Sequence, residues 1–149
     1  MKKIVLATAN THKLEEFKRI LGKKLPEVSL VFQKDFENIP EVEETGATFA
    51  ENALIKARAI NSATKLPALA DDSGLVVAAL DNRPGIFSAR YAGVGATDKK
   101  NLEKILSEIK NFEDKYLKAH FECCIAYVDK ASNIEFVVEG QMFGSLVKE

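Results

Sequence analysis

Four segments of this chain carry side chains that could do chemistry, and all four suit an anionic, oxygen-rich ligand. The first is Thr8-Ala9-Asn10-Thr11-His12-Lys13, a polar stretch between an apolar run and a helical pattern. A helix N-terminus offers unpaired N–H groups and the positive end of a dipole. Thr8 and Asn10 add hydrogen-bonding groups, and Lys13 adds a full charge one turn in. The segment reads either as a phosphate cradle or as an ordinary helix cap with a solvated lysine; it lacks the glycines of a P-loop. The second is Asp71-Asp72-Ser73-Gly74, between two apolar runs. Adjacent carboxylates repel, and a bound Mg²⁺ would relieve that repulsion, with Glu43 or Glu44 as a further oxygen ligand. Gly74 would permit a tight bend at a crevice beside the strand ends; the alternative is a solvated Asx turn. The third is Asn52 with Lys56, one helical turn apart, which is a second phosphate contact or a solvated helix face. The fourth is Ser88-Ala89-Arg90-Tyr91-Ala92-Gly93. There Arg90 could pair with phosphate and Tyr91 could stack on a base, or both could pin a loop.

The histidines add little. His12 lies beside the first segment, where it touches phosphate or water, and His120 alternates with Phe121 as a surface residue. Two distant histidines make no zinc site, and no nucleophile-elbow pattern is present.

Positioning these groups falls to alternating strands and helices. Residues 4–7 read as a buried strand, followed by a helix with Leu14, Phe17, Ile20 and Leu21 on one face and a stop at Gly22. Val28 to Phe32 read as a strand, and residues 33–46 as an acidic loop around Pro40. Thr48 and Glu51 predict a capping box, opening a helix that carries Asn52 and Lys56 and ends near Ala63. Residues 68–70 form a short strand running into the Asp pair, and residues 75–80 a second apolar run. Asp98 predicts the cap of a helix with Leu102, Ile105, Leu106 and Ile109 inward. Residues 119–128 and 134–139 form a closing hairpin. The pattern predicts an α/β domain: a mixed, twisted central sheet with helices on both faces.

Composition sets the outer bounds. At 149 residues the chain is one domain on length, and 21 basic against 22 acidic residues give a formal charge of −1. That balance argues against a globally basic nucleic-acid binder. The two cysteines, Cys123 and Cys124, are neighbours and make no disulfide framework. No apolar run approaches a membrane span or a signal peptide, so the expectation is a cytoplasmic protein.

Together the segments resemble the non-standard purine nucleoside triphosphate pyrophosphatases, which remove inosine and xanthosine triphosphates. The resemblance is carried by Ala7-Thr8-Ala9-Asn10 with Lys13 and Glu16, by 43–53 (EETGATFAENA) with Lys56-Ala57, by Ala70-Asp71-Asp72-Ser73-Gly74-Leu75, by 84–93 (PGIFSARYAG) and by Asn101-Leu102, in family order. It implies a two-lobed nucleotide cleft and cleavage of ITP, dITP or XTP to the monophosphate and pyrophosphate, which would cleanse the nucleotide pool. It implies that Thr8, Ala9, Asn10, Thr11, His12, Lys13, Lys56, Ser73 and Arg90 bind substrate. Asp72 would accept the proton of water and, with Glu43, hold Mg²⁺; Lys56 would neutralise phosphate charge. Glu44, Asp71 and Asn52 would support the site. A homodimer is implied as well. The family's Arg-Gly-x-x-Gly-Phe-Gly-Tyr-Asp-Pro and Ser-His-Arg segments have no match here, so residues 1–149 are expected to be a single, C-terminally incomplete domain. Base selectivity is expected to be impaired. Two other readings accompany this one: a remnant that binds nucleotide, Mg²⁺ or a partner subunit without turnover, and a pyrophosphatase for modified pyrimidines.

Overall fold

The computed structural model describes residues 1–148. Its six strands form one sheet in the order β2-β1-β3-β5-β6, with β4 paired to β3. They are β1 (Lys2–Leu6), β2 (Val28–Phe32), β3 (Ala68–Val77), β4 (Arg83–Pro84), β5 (Lys118–Asp129) and β6 (Ile134–Ser145). Three α-helices accompany them: α1 (Thr11–Lys24), α2 (Phe49–Thr64) and α3 (Asp98–Ile109). β1 runs parallel to β2, with Leu6 opposite Phe32, and parallel to β3, with Val5 opposite Ala68. β3 and β4 are antiparallel. β5 and β6 are joined by one short 3₁₀ turn, Lys130–Ser132, which only an antiparallel pair permits. The sheet is therefore mixed, as expected.

The described residues form two compact units: Met1–Asp71 with Cys124–Val138, and Asp72–Cys123 with the segment from Glu139 onward. In the first, buried Leu6, Leu14 and Phe32 gather with Phe17 and Leu69, so Leu14 and Phe17 of α1 pack on the strands, whereas Ile20, expected on the same face, is 45% exposed. In the second, Val77, Leu80, Ile105, Ile109 and Leu117 form the core. Each such side chain contributes roughly 1.5–3 kcal/mol by leaving water.

Several boundaries differ from the sequence reading. α1 continues through Gly22 to Lys24 and is capped at Leu25; a helical glycine costs only about 1 kcal/mol, and Lys23 and Lys24 sit favourably at the negative end. Thr97, not Asp98, caps α3, accepting from the Lys100 amide. Leu102 is half-exposed, while Asn101 is buried in the position expected of an apolar residue. β6 extends six residues beyond Glu139. The largest difference is at the Asp pair: β3 runs ten residues without a break, so Asp71-Asp72-Ser73-Gly74 lies inside a strand and makes no turn.

Candidate active site

The first unit contains the N-terminal turn. Asn10 is extended (φ −93°, ψ 112°), and its Oδ1 accepts from the backbone N–H of His12 and Lys13 at 2.9 and 3.4 Å. Thr8 Oγ1 accepts from the Asn10 N–H at 3.1 Å. The hydroxyl and amide thus order the turn from within, as a cap does. The first turn of α1 carries no acidic side chain, so no carboxylate of the helix offsets its positive end. Ala9, Asn10, Thr11 and His12 are exposed and Thr8 is half-buried. The turn therefore presents polar groups to solvent on a fixed backbone.

Lys13 is turned to β3. Its Nζ donates to Asp71 Oδ2 at 2.6 Å. This explains why a strand tolerates the Asp pair: Lys13 neutralises Asp71, so that carboxylate needs no metal ion to relieve its charge. Neighbouring strand residues face opposite ways, so Asp71 and Asp72 are not two fingers of one clamp. Asp71 and Asp72 are both buried.

The acidic loop is tied to α2 by three successive contacts. Glu51 Oε2 accepts from the Ala47 N–H at 2.6 Å, Asn52 Oδ1 accepts from the Gly46 N–H at 2.8 Å, and Lys56 Nζ donates to Glu44 Oε1 at 3.3 Å. Thr48 caps the helix, accepting from the Glu51 N–H at 3.1 Å. Half of the expected capping box is present; Glu51 reaches Ala47, one residue before the cap. Asn52 is wholly buried and its Nδ2 makes no hydrogen bond, so it braces the loop and presents nothing to solvent. Lys56 and Glu44 are partly buried, whereas Glu43 is exposed.

The second unit holds Ser73, which is exposed, and the 85–92 segment. Ser88 Oγ accepts from the Leu75 N–H at 2.9 Å and donates to the Gly85 carbonyl at 2.6 Å. Helix α3 grips the same segment with one face. Asn101 accepts from the Ala92 N–H and donates to the Ala89 carbonyl, Lys104 donates to the Tyr91 carbonyl, and Glu108 accepts from the Tyr91 hydroxyl. Lys104 Nζ also stands 4.3 Å from the Tyr91 ring centroid. Burial and the Glu108 carboxylate push the Tyr91 phenol up to about 12. Tyr91 is thus anchored internally through its hydroxyl and one ring face. Arg90 is half-buried, with its guanidinium 5.2 Å from the Phe87 ring centroid. Sequence reasoning missed Lys104 and Glu108 altogether; the only signal was the i, i+3, i+7 spacing of polar residues 101, 104 and 108 on α3.

His120 is half-buried, against expectation, with Nε2 3.3 Å from Glu122 Oε2 and its ring 5.0 Å from that of Phe143. Among the described residues no group of three or more His, Cys, Asp or Glu side chains gathers as a metal cage. No described helix is long and apolar enough to cross a membrane.

The chain is similar to known proteins over nearly its whole length. A dITP/XTP pyrophosphatase of Streptomyces coelicolor is 47% identical over 146 residues, spanning 98% of this chain and 72% of that protein. A dITP/XTP pyrophosphatase of Halalkalibacterium halodurans is 47% identical over 150 positions, spanning all of this chain and 75% of the relative. The solved structure of a HAM1 protein from Coxiella burnetii superimposes with a TM-score of 0.89 at 42% identity, over all of this chain and 75% of that one. The Ham1 family model matches residues 4–149. On that match, and on relatives this similar across nearly its whole length, the chain belongs to the Ham1 family.

Proposed function

We propose that this protein hydrolyses non-standard purine nucleoside triphosphates, namely dITP, ITP and XTP, to the nucleoside monophosphate and pyrophosphate. The observation that carries the reading is the ordered turn at the start of α1, with Lys13 fixed on β3, in a chain 47% identical to dITP/XTP pyrophosphatases. In this reading the Thr8–Lys13 segment takes the triphosphate, with Lys56, Ser73 and Arg90 as further contacts. Water attacks the α-phosphorus, the α–β phosphoanhydride breaks, and pyrophosphate leaves with the bond electrons. Asp72 accepts the proton of the attacking water, a role worth about 10²–10⁴-fold in rate.

Mg²⁺ is the divalent ion this chemistry calls for. The donor set suits it, because Mg²⁺ takes one or two carboxylates and completes its shell with water and substrate phosphate. Asp72 and Glu43 are assigned to it. Glu44 is the weaker ligand, since its carboxylate already meets Lys56. When bound, the ion neutralises developing phosphate charge. Lys13 and Lys56 contribute to the same end as fixed cations. The active form is a homodimer in the cytoplasm, where the nucleotide pool is.

The test is pyrophosphate release from dITP and ITP with Mg²⁺, set beside ATP and GTP. Release from the inosine nucleotides in preference to ATP is the expected result; no release from any of the four would overturn the reading.

A further inference from the structure

The Lys13–Asp71 pair is unequal in its exposure. The Lys13 side chain is 36% exposed, whereas that of Asp71 is only 6% exposed. The carboxylate sits on a strand in the interior of the sheet; the ammonium sits in the first turn of α1, beside the polar segment that faces solvent. An ammonium has three donors and no acceptor. Asp71 engages one of them at 2.6 Å, and a partly exposed ammonium has N–H directions left for a second anion. A lysine has four rotatable bonds, and a contact anchored on a rigid strand holds it where solvent alone would not. Strand alternation places Asp71 on the face opposite Asp72, so the two carboxylates do not share a task.

We infer that Asp71 is a positioning residue: it holds the Lys13 ammonium at the N-terminal turn of α1, oriented for a phosphate oxygen, and acts on the substrate only through Lys13. This rests on the triphosphate reading above. Asp71 is neither a metal ligand nor a proton acceptor.

The experiment compares wild type with Asp71→Asn, Lys13→Ala and the double variant. It measures steady-state kinetics on dITP and, separately, dITP binding by calorimetry in chelator, where no metal contributes. Asp71→Asn is expected to weaken dITP binding and raise KM by about tenfold, the scale of one charge-assisted contact, with kcat changed less than about threefold. In the Lys13→Ala background it should add less than about twofold, because its only route is already gone. A kcat loss of hundreds-fold at unchanged KM, or full multiplication with Lys13→Ala, would overturn the inference. An unchanged dITP affinity in Lys13→Ala would overturn the phosphate reading of Lys13 and this inference with it. A clear Lys13→Ala effect beside a wild-type-like Asp71→Asn would overturn the inference alone. If Asp71→Asn does not fold, Asp71→Leu with Lys13→Met removes both charges of the pair together. That variant is expected to fold and to bind dITP as Lys13→Met does; a further loss of affinity would count against Asp71 acting through Lys13.

Discussion

Gly46→Ala is the sharpest test of how the acidic loop is built. A methyl group at this position would lie 2.7 Å from Asn52 Oδ1, 2.7 Å from Glu51 Cβ and 3.0 Å from the Asn52 backbone nitrogen. The first two lie well inside van der Waals contact, and Glu51 Cβ and the Asn52 backbone are fixed in the first turn of α2. The loop must therefore move away, and the Gly46 N–H to Asn52 Oδ1 bond at 2.8 Å breaks as it does. Overpacking of this kind costs about 1–3 kcal/mol. A partly buried amide stripped of its partner costs up to about another 1–3 kcal/mol, and the Asn52 Nδ2 makes no hydrogen bond that would hold the side chain in place. A combined loss near 3 kcal/mol corresponds to a fall in Tm of roughly 6–12 °C for a chain of this size. Thermal melting by circular dichroism measures it, with urea unfolding as a check. Asn52→Ala in the Gly46→Ala background should recover part of the loss, because the clashing oxygen is gone. A Tm within about 2 °C of wild type for Gly46→Ala would refute the argument that space, and not backbone conformation, requires glycine here.

Three further outcomes follow from the same contacts. Asp72→Asn should lower dITP turnover by at least about 10²-fold with the melting curve nearly unchanged, since the amide keeps the shape and loses the base; turnover within a few-fold of wild type would remove Asp72 from the reaction. The exposed Arg58–Glu135 pair holds the Glu135 carboxyl below its usual value of 4.5, chiefly through the hydrogen bonds from Arg58. Its contribution, about 0.5 kcal/mol after solvent screening, is complete above pH 4.5 and is lost as pH falls through the lowered folded value, so Arg58→Met should separate from wild type in Tm at pH 6 and converge on it as the solution is acidified. Tyr91→Phe should cost about 1.5 kcal/mol by removing the bond to Glu108, and an ultraviolet titration of wild type should show one tyrosine ionising near pH 12 that is missing in the variant. That bond's contribution is complete below pH 10 and is lost as pH rises through 12.

What the sequence determined by itself is what short-range physics controls. The cap at Thr48 and the strand Val28–Phe32 follow from contacts within a few residues, or from a run of side chains whose burial depends on their own spacing, and both are where the pattern placed them. The same holds for the mixed α/β character of the sheet and for the polar turn before α1, where Asn10 caps its own helix. Charge pairing over long separations was not legible. Lys13 and Asp71 are 58 positions apart, and nothing local in Asp71-Asp72-Ser73-Gly74 shows that a lysine waits beside it. Two adjacent carboxylates read alone as a turn, because unpaired they cannot be buried. With Lys13 supplied by the fold, they sit inside a ten-residue strand. Asn52 and Asn101 show the same limit. Asn52 was legible only as a phosphate contact or a solvated helix face, and the pattern of α3 gave Asn101 no inward place; both are buried because the tertiary structure brings backbone groups, of Gly46 in one case and of Ala89 and Ala92 in the other, within reach of their amides. A buried polar side chain is set by the partner that satisfies it, and that partner is known only once the chain has folded.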